Sequence, residues 1–159
     1  MSQPVVDAGT IADLLELQRS GGATAEALVG GRLAAIEADA GVRPLVEVDG
    51  AGALATAREL DARRLDGQPL GPLHGVPITI KSSFAVAGLS ASVGLLESRI
   101  PAPFDAPSVA RLRAAGAVVV GTTTVPPMLD GFHSDSPLTG RTSNPWDPTR
   151  TPGGSSGGA

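Results

Sequence analysis

The 159-residue chain has no cysteine, which excludes a disulfide frame, a thiol nucleophile and a thiolate metal site. Histidine is scarce too: His74 and His133 lie too far apart in sequence to suggest metal-ligand spacing, so neither metal nor cofactor is expected. No run of about 18 apolar residues occurs, and Met1 to Thr10 lacks the basic and apolar regions of a secretory leader. Membrane spanning and secretion are therefore unsupported, and the cytoplasm is the default compartment. Basic charge is also short. With 12 Lys and Arg against 16 Asp and Glu, the net charge is -4, whereas a sequence-independent nucleic-acid surface needs clustered cations. No nucleic-acid partner is expected. Neither an internal repeat nor a heptad run is visible. What remains, 42% hydrophobic and 18% charged residues, is ordinary globular composition for one domain or part of one.

Lysine is nearly absent as well: 11 of the 12 cationic side chains are Arg, and the exception is Lys81. It closes the run Val76-Pro-Ile-Thr-Ile-Lys81, in which strand alternation sends Val76, Ile78 and Ile80 to one face and Pro77, Thr79 and Lys81 to the other. A lysine there is either solvated at the strand tip or drawn into a site. In a site, a neutral amine can take a proton from a serine hydroxyl, which an Arg cannot do. Both readings stand on the residues alone.

The last ten residues, Arg150-Thr-Pro-Gly-Gly-Ser-Ser-Gly-Gly-Ala159, are the most informative stretch. Paired glycines flanking two serines allow positive φ and a close approach to main-chain N–H groups and hydroxyls. A phosphate-binding P-loop would need Lys and Ser or Thr after the last Gly, and Ala159 stands there instead. Gly153 to Gly157 formally matches a G-x-S-x-G nucleophile elbow, but that triad places its His after the serine and both His precede it here. A flexible Gly/Ser tail is the remaining plain reading.

Element signals run through the rest. Thr10 with Asp13 makes a capping box for a helix bearing Ile11, Leu14 and Leu15 and ending at Ser20-Gly21-Gly22. A second helix follows Thr24, carries Leu28, Leu33 and Ile36 despite Gly30-Gly31, and stops by Gly41. Leu45 to Val48 predicts a short strand, Asp49-Gly50 a turn, and Ala53, Ala57 and Leu60 the inner stripe of a third helix ended by Asp66-Gly67. The charges on that helix's other face read as a solvated surface. After the Val76 strand comes the excursion Ser82 to Ser92, at the carboxyl end where sites commonly lie. A helix capped by Asp105 runs to Ala115 with Gly116 at its end, and a strand covers Ala117 to Val120. Strand, helix and strand in that order predict a parallel crossover in an α/β sheet. Gly121 to Arg150 reads as an irregular connection with a short helix over Pro126 to Leu129, and Trp146 as packing beside the Pro145 turn.

Four blocks then appear in one order: Gly71-Pro-Leu-His-Gly-Val-Pro-Ile-Thr-Ile-Lys81, Arg111-Leu-Arg-Ala-Ala-Gly-Ala-Val-Val-Val-Gly121, Asn144-Pro-Trp-Asp147, and Arg150-Thr-Pro-Gly-Gly-Ser-Ser-Gly-Gly158. From about Pro69 to Ala159 the chain resembles the amidase signature family. The resemblance implies an α/β fold of the amidase-signature type, its N-terminal part only, with a mixed sheet core covered by helices. It implies a single incomplete amidase domain over 1–159, with 1–68 a helical portion and 69–159 the start of the α/β core.

The implied activity is hydrolysis of an amide carbon–nitrogen bond in a small-molecule substrate. Lys81 matches the family's lysine base, and Ser155 matches the bridging serine held on a cis peptide bond. The nucleophilic serine and its oxyanion hole lie downstream in the family, so neither Ser155 nor Ser156 takes that part, and the 159 residues alone are expected to be an inactive fragment. Two positions depart from the family pattern: Ser82 stands where an acid is frequent, and Thr124 where an Asn is frequent. His74, Asp130, His133 and Asp135 form a tempting acid/base set that the family does not use as its triad. Two alternatives stay open: a relative of the tRNA-dependent amidotransferase A subunit, less favoured because Gly121-Thr-Thr-Thr-Val-Pro-Pro-Met128 departs from that subunit's usual acidic, Phe-containing stretch, and a non-catalytic α/β module. The oligomeric state is not legible.

Overall fold

A computed structural model describes residues 9–38, 41–96 and 99–159. The described residues form two compact units. The first takes 9–38, 49–78 and 111–120, and the second takes 41–48, 79–96, 99–110 and 121–159.

Helices α1 (Ile11–Arg19), α2 (Ala25–Ala38) and α3 (Gly50–Leu65) dominate the first unit. The expected capping box starts α1: Thr10 Oγ1 accepts from Asp13 N–H, while Thr10 N–H donates to the Asp13 carboxylate at 2.8 Å. Helix α2 runs through Gly30 and Gly31, which face open space, because Ala25 and Val29 pack tightly enough to outweigh two poor helix formers. Its expected stop at Gly41 adjoins residues 39–40, which lie outside the described set. Ala53, Ala57 and Leu60 of α3 are buried as the periodicity predicts, and with Ala25, Val29, Val118 and Val120 they form the unit's main core. A second cluster joins Leu14, Ala23, Leu28 and Val76.

Two readings of α3 change. The Asp49-Gly50 turn is the helix start itself: Asp49 Oδ1 accepts from Gly52 N–H at 2.9 Å, and Gly50 is already helical. Asp serves turns and caps by the same chemistry, a short carboxylate reaching nearby main-chain N–H groups, so the sequence does not separate them. The charged face is also not wholly solvated. Asp61 accepts from both Ala25 N–H (2.8 Å) and Glu26 N–H (2.9 Å), satisfying the first turn of α2 from another helix. Arg64 donates to the carbonyl of Gln18 at 3.1 Å.

His74 is buried in this unit, and its carbonyl accepts from Gln18 Nε2 at 2.7 Å. Burial holds its pKa below the ordinary 6.5; Asp61 opposes that shift, and Arg64 and Arg63 reinforce it. As pH falls past 6.5 the unfolded chain takes up a proton that the folded chain still refuses, so stability is lost down to the folded-state pKa and no further through this group. Urea midpoints from about pH 8 to about pH 5.5 are expected to fall accordingly, and the fall to shrink in His74→Gln. An unchanged profile in that variant would remove His74 as the cause.

Strands β1 (Leu45–Val48), β2 (Pro77–Lys81) and β5 (Val118–Thr123) make a sheet in the order β1-β5-β2. β1 pairs antiparallel with β5, Val48 opposite Gly121 and Glu47 opposite Thr122. Between β2 and β5 the hydrogen bonds advance together, from Val118 N–H to Val76 carbonyl and from Ser82 N–H to Thr123 carbonyl, so those strands are parallel and the sheet is mixed. The intervening helix is α4 (Pro107–Ala114), with Gly116 at φ +95° after it. The Asp105 side chain accepts from Ala87 N–H at 2.8 Å. β5 runs three residues past the expected Val120 end, because Gly121 does not break it. A Cβ on Gly121 would strike the Glu47 carbonyl, so glycine is what lets β1 lie alongside.

The second unit holds the ladders β3 (Ser90–Ala91) with β4 (Ile100–Pro101) and β6 (Asp135–Ser136) with β7 (Gly140–Arg141). A short 3-10 turn covers Pro127–Leu129, one residue later than expected since Pro126 is still extended, at φ -68° and ψ 159°. The stretch from 121 to 150 is thus less irregular than its Pro, Thr and Ser content suggests. Trp146 corrects its expectation: it is 94% exposed, because Asn144 Oδ1 takes the Trp146 N–H at 2.8 Å in a turn that turns the indole outward.

Candidate active site

Strand β2 sets the first side chain. Val76 and Ile80 are buried on the core face, Thr79 is exposed, and Lys81 ends the strand half-buried. Its ammonium donates to Ser155 Oγ at 2.8 Å. The lone lysine and the first serine of the glycine-rich stretch therefore meet within proton-transfer distance, although 74 residues separate them in sequence. Ser156, by contrast, is exposed.

The segment carrying Ser155 is anchored along its length, which rules out a loose Gly/Ser tail. Arg141 donates to the carbonyl of Arg150 at 3.0 Å and lies 3.4 and 3.5 Å from those of Thr149 and Pro148. The Asp147 carboxylate accepts from Thr149 N–H (3.0 Å), Thr149 Oγ1 (2.6 Å) and Arg150 Nε (3.0 Å). The Thr149 side-chain bond, first among these, holds the Asp147 pKa below its ordinary value. Asn144 closes the turn: Oδ1 accepts from Trp146 and Asp147 N–H, and Nδ2 donates to the Thr151 carbonyl at 3.1 Å.

Beyond Thr151 glycine is required by backbone conformation at Gly153 and by space at Gly154, Gly157 and Gly158. Gly153 sits at φ +96°, and the Gly154–Ser155 peptide is cis, as the resemblance implied. A Cβ on Gly154 would come within 2.8 Å of Phe132 Cα, and one on Gly157 would strike the Ser134 hydroxyl. Gly158 lies against the Pro44 carbonyl and Thr124, with Gly158 N–H donating to the Thr124 carbonyl at 3.3 Å. The Thr124 hydroxyl pairs with Thr142 Oγ1 at 2.7 Å, and Thr142 donates on to the Arg43 carbonyl. At the other departure, Ser82 is fully buried. Val42, Pro44, Asn144, Trp146 and Gly157 to Ala159 border a cleft of about 410 Å³.

Of the tempting acid/base set, Asp130, His133 and Asp135 are exposed in the second unit and His74 is buried in the first. Among the described residues no group of three or more His, Asp or Glu could hold a metal ion, and no helix is long and apolar enough to cross a membrane. Asn144, Asp147 and Thr151 received no role from the sequence; their signal was there in Asn144-Pro145, Asp147-Pro148 and Thr151-Pro152, where a short polar side chain before Pro favours a side-chain-closed turn.

A family model described as Amidase matches residues 28–159. The chain belongs to the amidase family. One curated amidase-family relative, the A subunit of the glutamyl-tRNA(Gln) amidotransferase of Streptomyces coelicolor, is 42% identical over 94% of this chain and 31% of its own length. The solved peptide amidase of Stenotrophomonas maltophilia superposes with a TM-score of 0.91 at 35% identity, covering 98% of this chain and 34% of that one. A bacterial aryl acylamidase of the amidase signature enzymes gives a TM-score of 0.90 at 26% identity, covering 98% and 33%. The chain thus spans about a third of the length of the relatives it matches. These matches bear out the expected α/β amidase-signature fold and its mixed sheet.

Proposed function

We propose that this chain supplies the base and the proton-relay serine of an amidase that cleaves the carbon–nitrogen bond of a small-molecule amide. The observation that carries this reading is the 2.8 Å contact between Lys81 Nζ and Ser155 Oγ in a chain of the amidase family. With its amine neutral, Lys81 takes the Ser155 hydroxyl proton, and Ser155 in turn takes the proton of a nucleophilic serine. That oxygen attacks the amide carbonyl; the C–N bond breaks as the relay returns a proton to the leaving amine, and water then releases the acyl group as the acid. Neither metal nor cofactor takes part. The resemblance assigns the nucleophile to sequence beyond residue 159, so the isolated 159 residues are read as inactive and their domain as one part of a larger amidase domain. We also read the protein as cytoplasmic.

Amine release from aryl amides tests the proposal. The 159-residue chain should release none, while a longer polypeptide containing these residues and the nucleophile should turn over. Turnover by the 159 residues that vanishes in Lys81→Ala would instead make a serine within them the nucleophile.

A second reading, the A subunit of a glutamyl-tRNA(Gln) amidotransferase, is favoured by the 42% identity to the Streptomyces coelicolor protein and by 40 to 44% identity to several others so named. Against it stand the net charge of -4 and the Gly121 to Met128 stretch. Activity of the longer polypeptide that requires glutamyl-tRNA(Gln) and is absent on simple amides would select this second reading.

A further inference from the structure

We infer that Thr151 is the positioning residue that holds Ser155 in reach of Lys81, an inference that rests on the proposed pairing of those two groups. Its hydroxyl is used in both directions: Oγ1 donates to the Phe132 carbonyl at 2.7 Å and accepts from Gly153 N–H at 3.1 Å. One O–H donor and an accepting lone pair are thereby engaged, as a hydroxyl allows and a methyl does not. The first bond fastens the approach to the glycine-rich segment onto residues 131–133. The second fixes Gly153, whose φ of +96° sets the direction in which the chain enters the Gly154–Ser155 peptide.

Other contacts make this hydroxyl the hinge point of the segment. The Thr151 carbonyl is held by Asn144 Nδ2, so main chain and side chain of one residue are both tied. Gly153 forms a parallel bridge with His133, and a Cβ on Gly154 would run into the main chain of Gly131 and Phe132, a fit that only glycine allows. The segment thus touches the 131–133 strip through glycines that have no side chain to grip it. Thr151 is the side chain that supplies the grip. Without its hydroxyl the Gly153 N–H and the Phe132 carbonyl lose their shared partner, and the 153–155 path is free to move by the ångström or so that breaks a 2.8 Å contact.

Lys81 being the sole lysine, its ε-methylene resonance in selectively ¹³C-lysine-labelled 159-residue chain is unambiguous, and its Overhauser cross-peak to the Ser155 β-protons reads the pair without any need for turnover. The unsubstituted chain should show that cross-peak. Thr151→Val, which keeps the shape but removes the hydroxyl, should lose it while the cross-peaks of the Val118 and Val120 core are kept, and Thr151→Ser should restore it. Retention of the cross-peak in a folded Thr151→Val chain overturns the role of Thr151 and leaves the pair standing. Absence of the cross-peak in the unsubstituted chain overturns the pair and the inference together. Should Thr151→Val fail to fold, hydrogen exchange in the unsubstituted chain decides: Gly153 N–H should be protected at least tenfold relative to an unstructured peptide, and unprotected exchange there overturns the inference.

Discussion

Replacing Lys81 by Ala in a polypeptide that unites these residues with the nucleophile is expected to lower kcat/KM for amide hydrolysis by about 10²- to 10⁴-fold, the range for loss of a general base. The amine is the only basic side chain bonded to Ser155 Oγ among the described contacts, and the contact is direct at 2.8 Å. Lys81→Arg should fare no better, because a guanidinium stays protonated and its planar fork does not reproduce a compact amine. Ser155→Ala should cost a similar factor. The double variant should lose little beyond either single one, since groups that act as one relay are not additive. Lys81 is half-buried at a strand end and sits outside both apolar clusters, so the far-ultraviolet spectrum and thermal midpoint should change little. Activity of Lys81→Ala within about twofold of the parent would remove the proposed mechanism.

Gly121→Val is expected to lower stability by about 3 kcal/mol, at the upper end of overpacking costs. A Cβ at this position meets the main-chain carbonyl of Glu47 and lies 3.2 Å from Val48 Cα, and main chain in a paired strand does not rotate out of the way as a side chain would. β1 must then separate from β5 over Val48 and Glu47. For a domain of this size the thermal midpoint should drop by about 6 to 12 °C. Gly30→Ala is the matched comparison: Gly30 is in α2 with no atom within 4 Å of an added Cβ, so the gain in helix propensity should stabilise by about 0.5 to 1 kcal/mol. Equal midpoints for Gly121→Val and the parent would show that β1 does not lie against β5 in this register.

Local chemistry in the sequence determined most elements of this fold. The capping box at Thr10, the Ala53, Ala57 and Leu60 stripe, the Leu45 to Val48 strand and the Gly116 helix stop all act over one to four residues, and each was legible for that reason. The mixed sheet was also implied, because the ordered blocks resemble a family whose fold the solved relatives share. Legibility failed where one residue type serves two local ends or answers to a distant neighbour. Asp49 reads equally as turn and cap, and Gly121 reads as a strand stop until a second strand is seen lying against it.

The site divides the same way. Oddity of placement drew notice to Lys81 and the glycine pattern to the 150–159 stretch, and the family resemblance then singled out Ser155, but a separation of 74 residues carries no distance; only the path of the chain brings them to 2.8 Å. The tertiary structure also decided which polar side chains hold that path. Thr151 and Asn144 are ordinary turn residues by composition, and their bonds to Phe132, Gly153 and to each other arise because the 131–133 and 144–155 segments run side by side. Trp146 shows the converse: bulk and apolarity argue for burial, yet the turn that Asn144 closes leaves the indole in solvent, since burial depends on what stands opposite a residue and not on the residue alone.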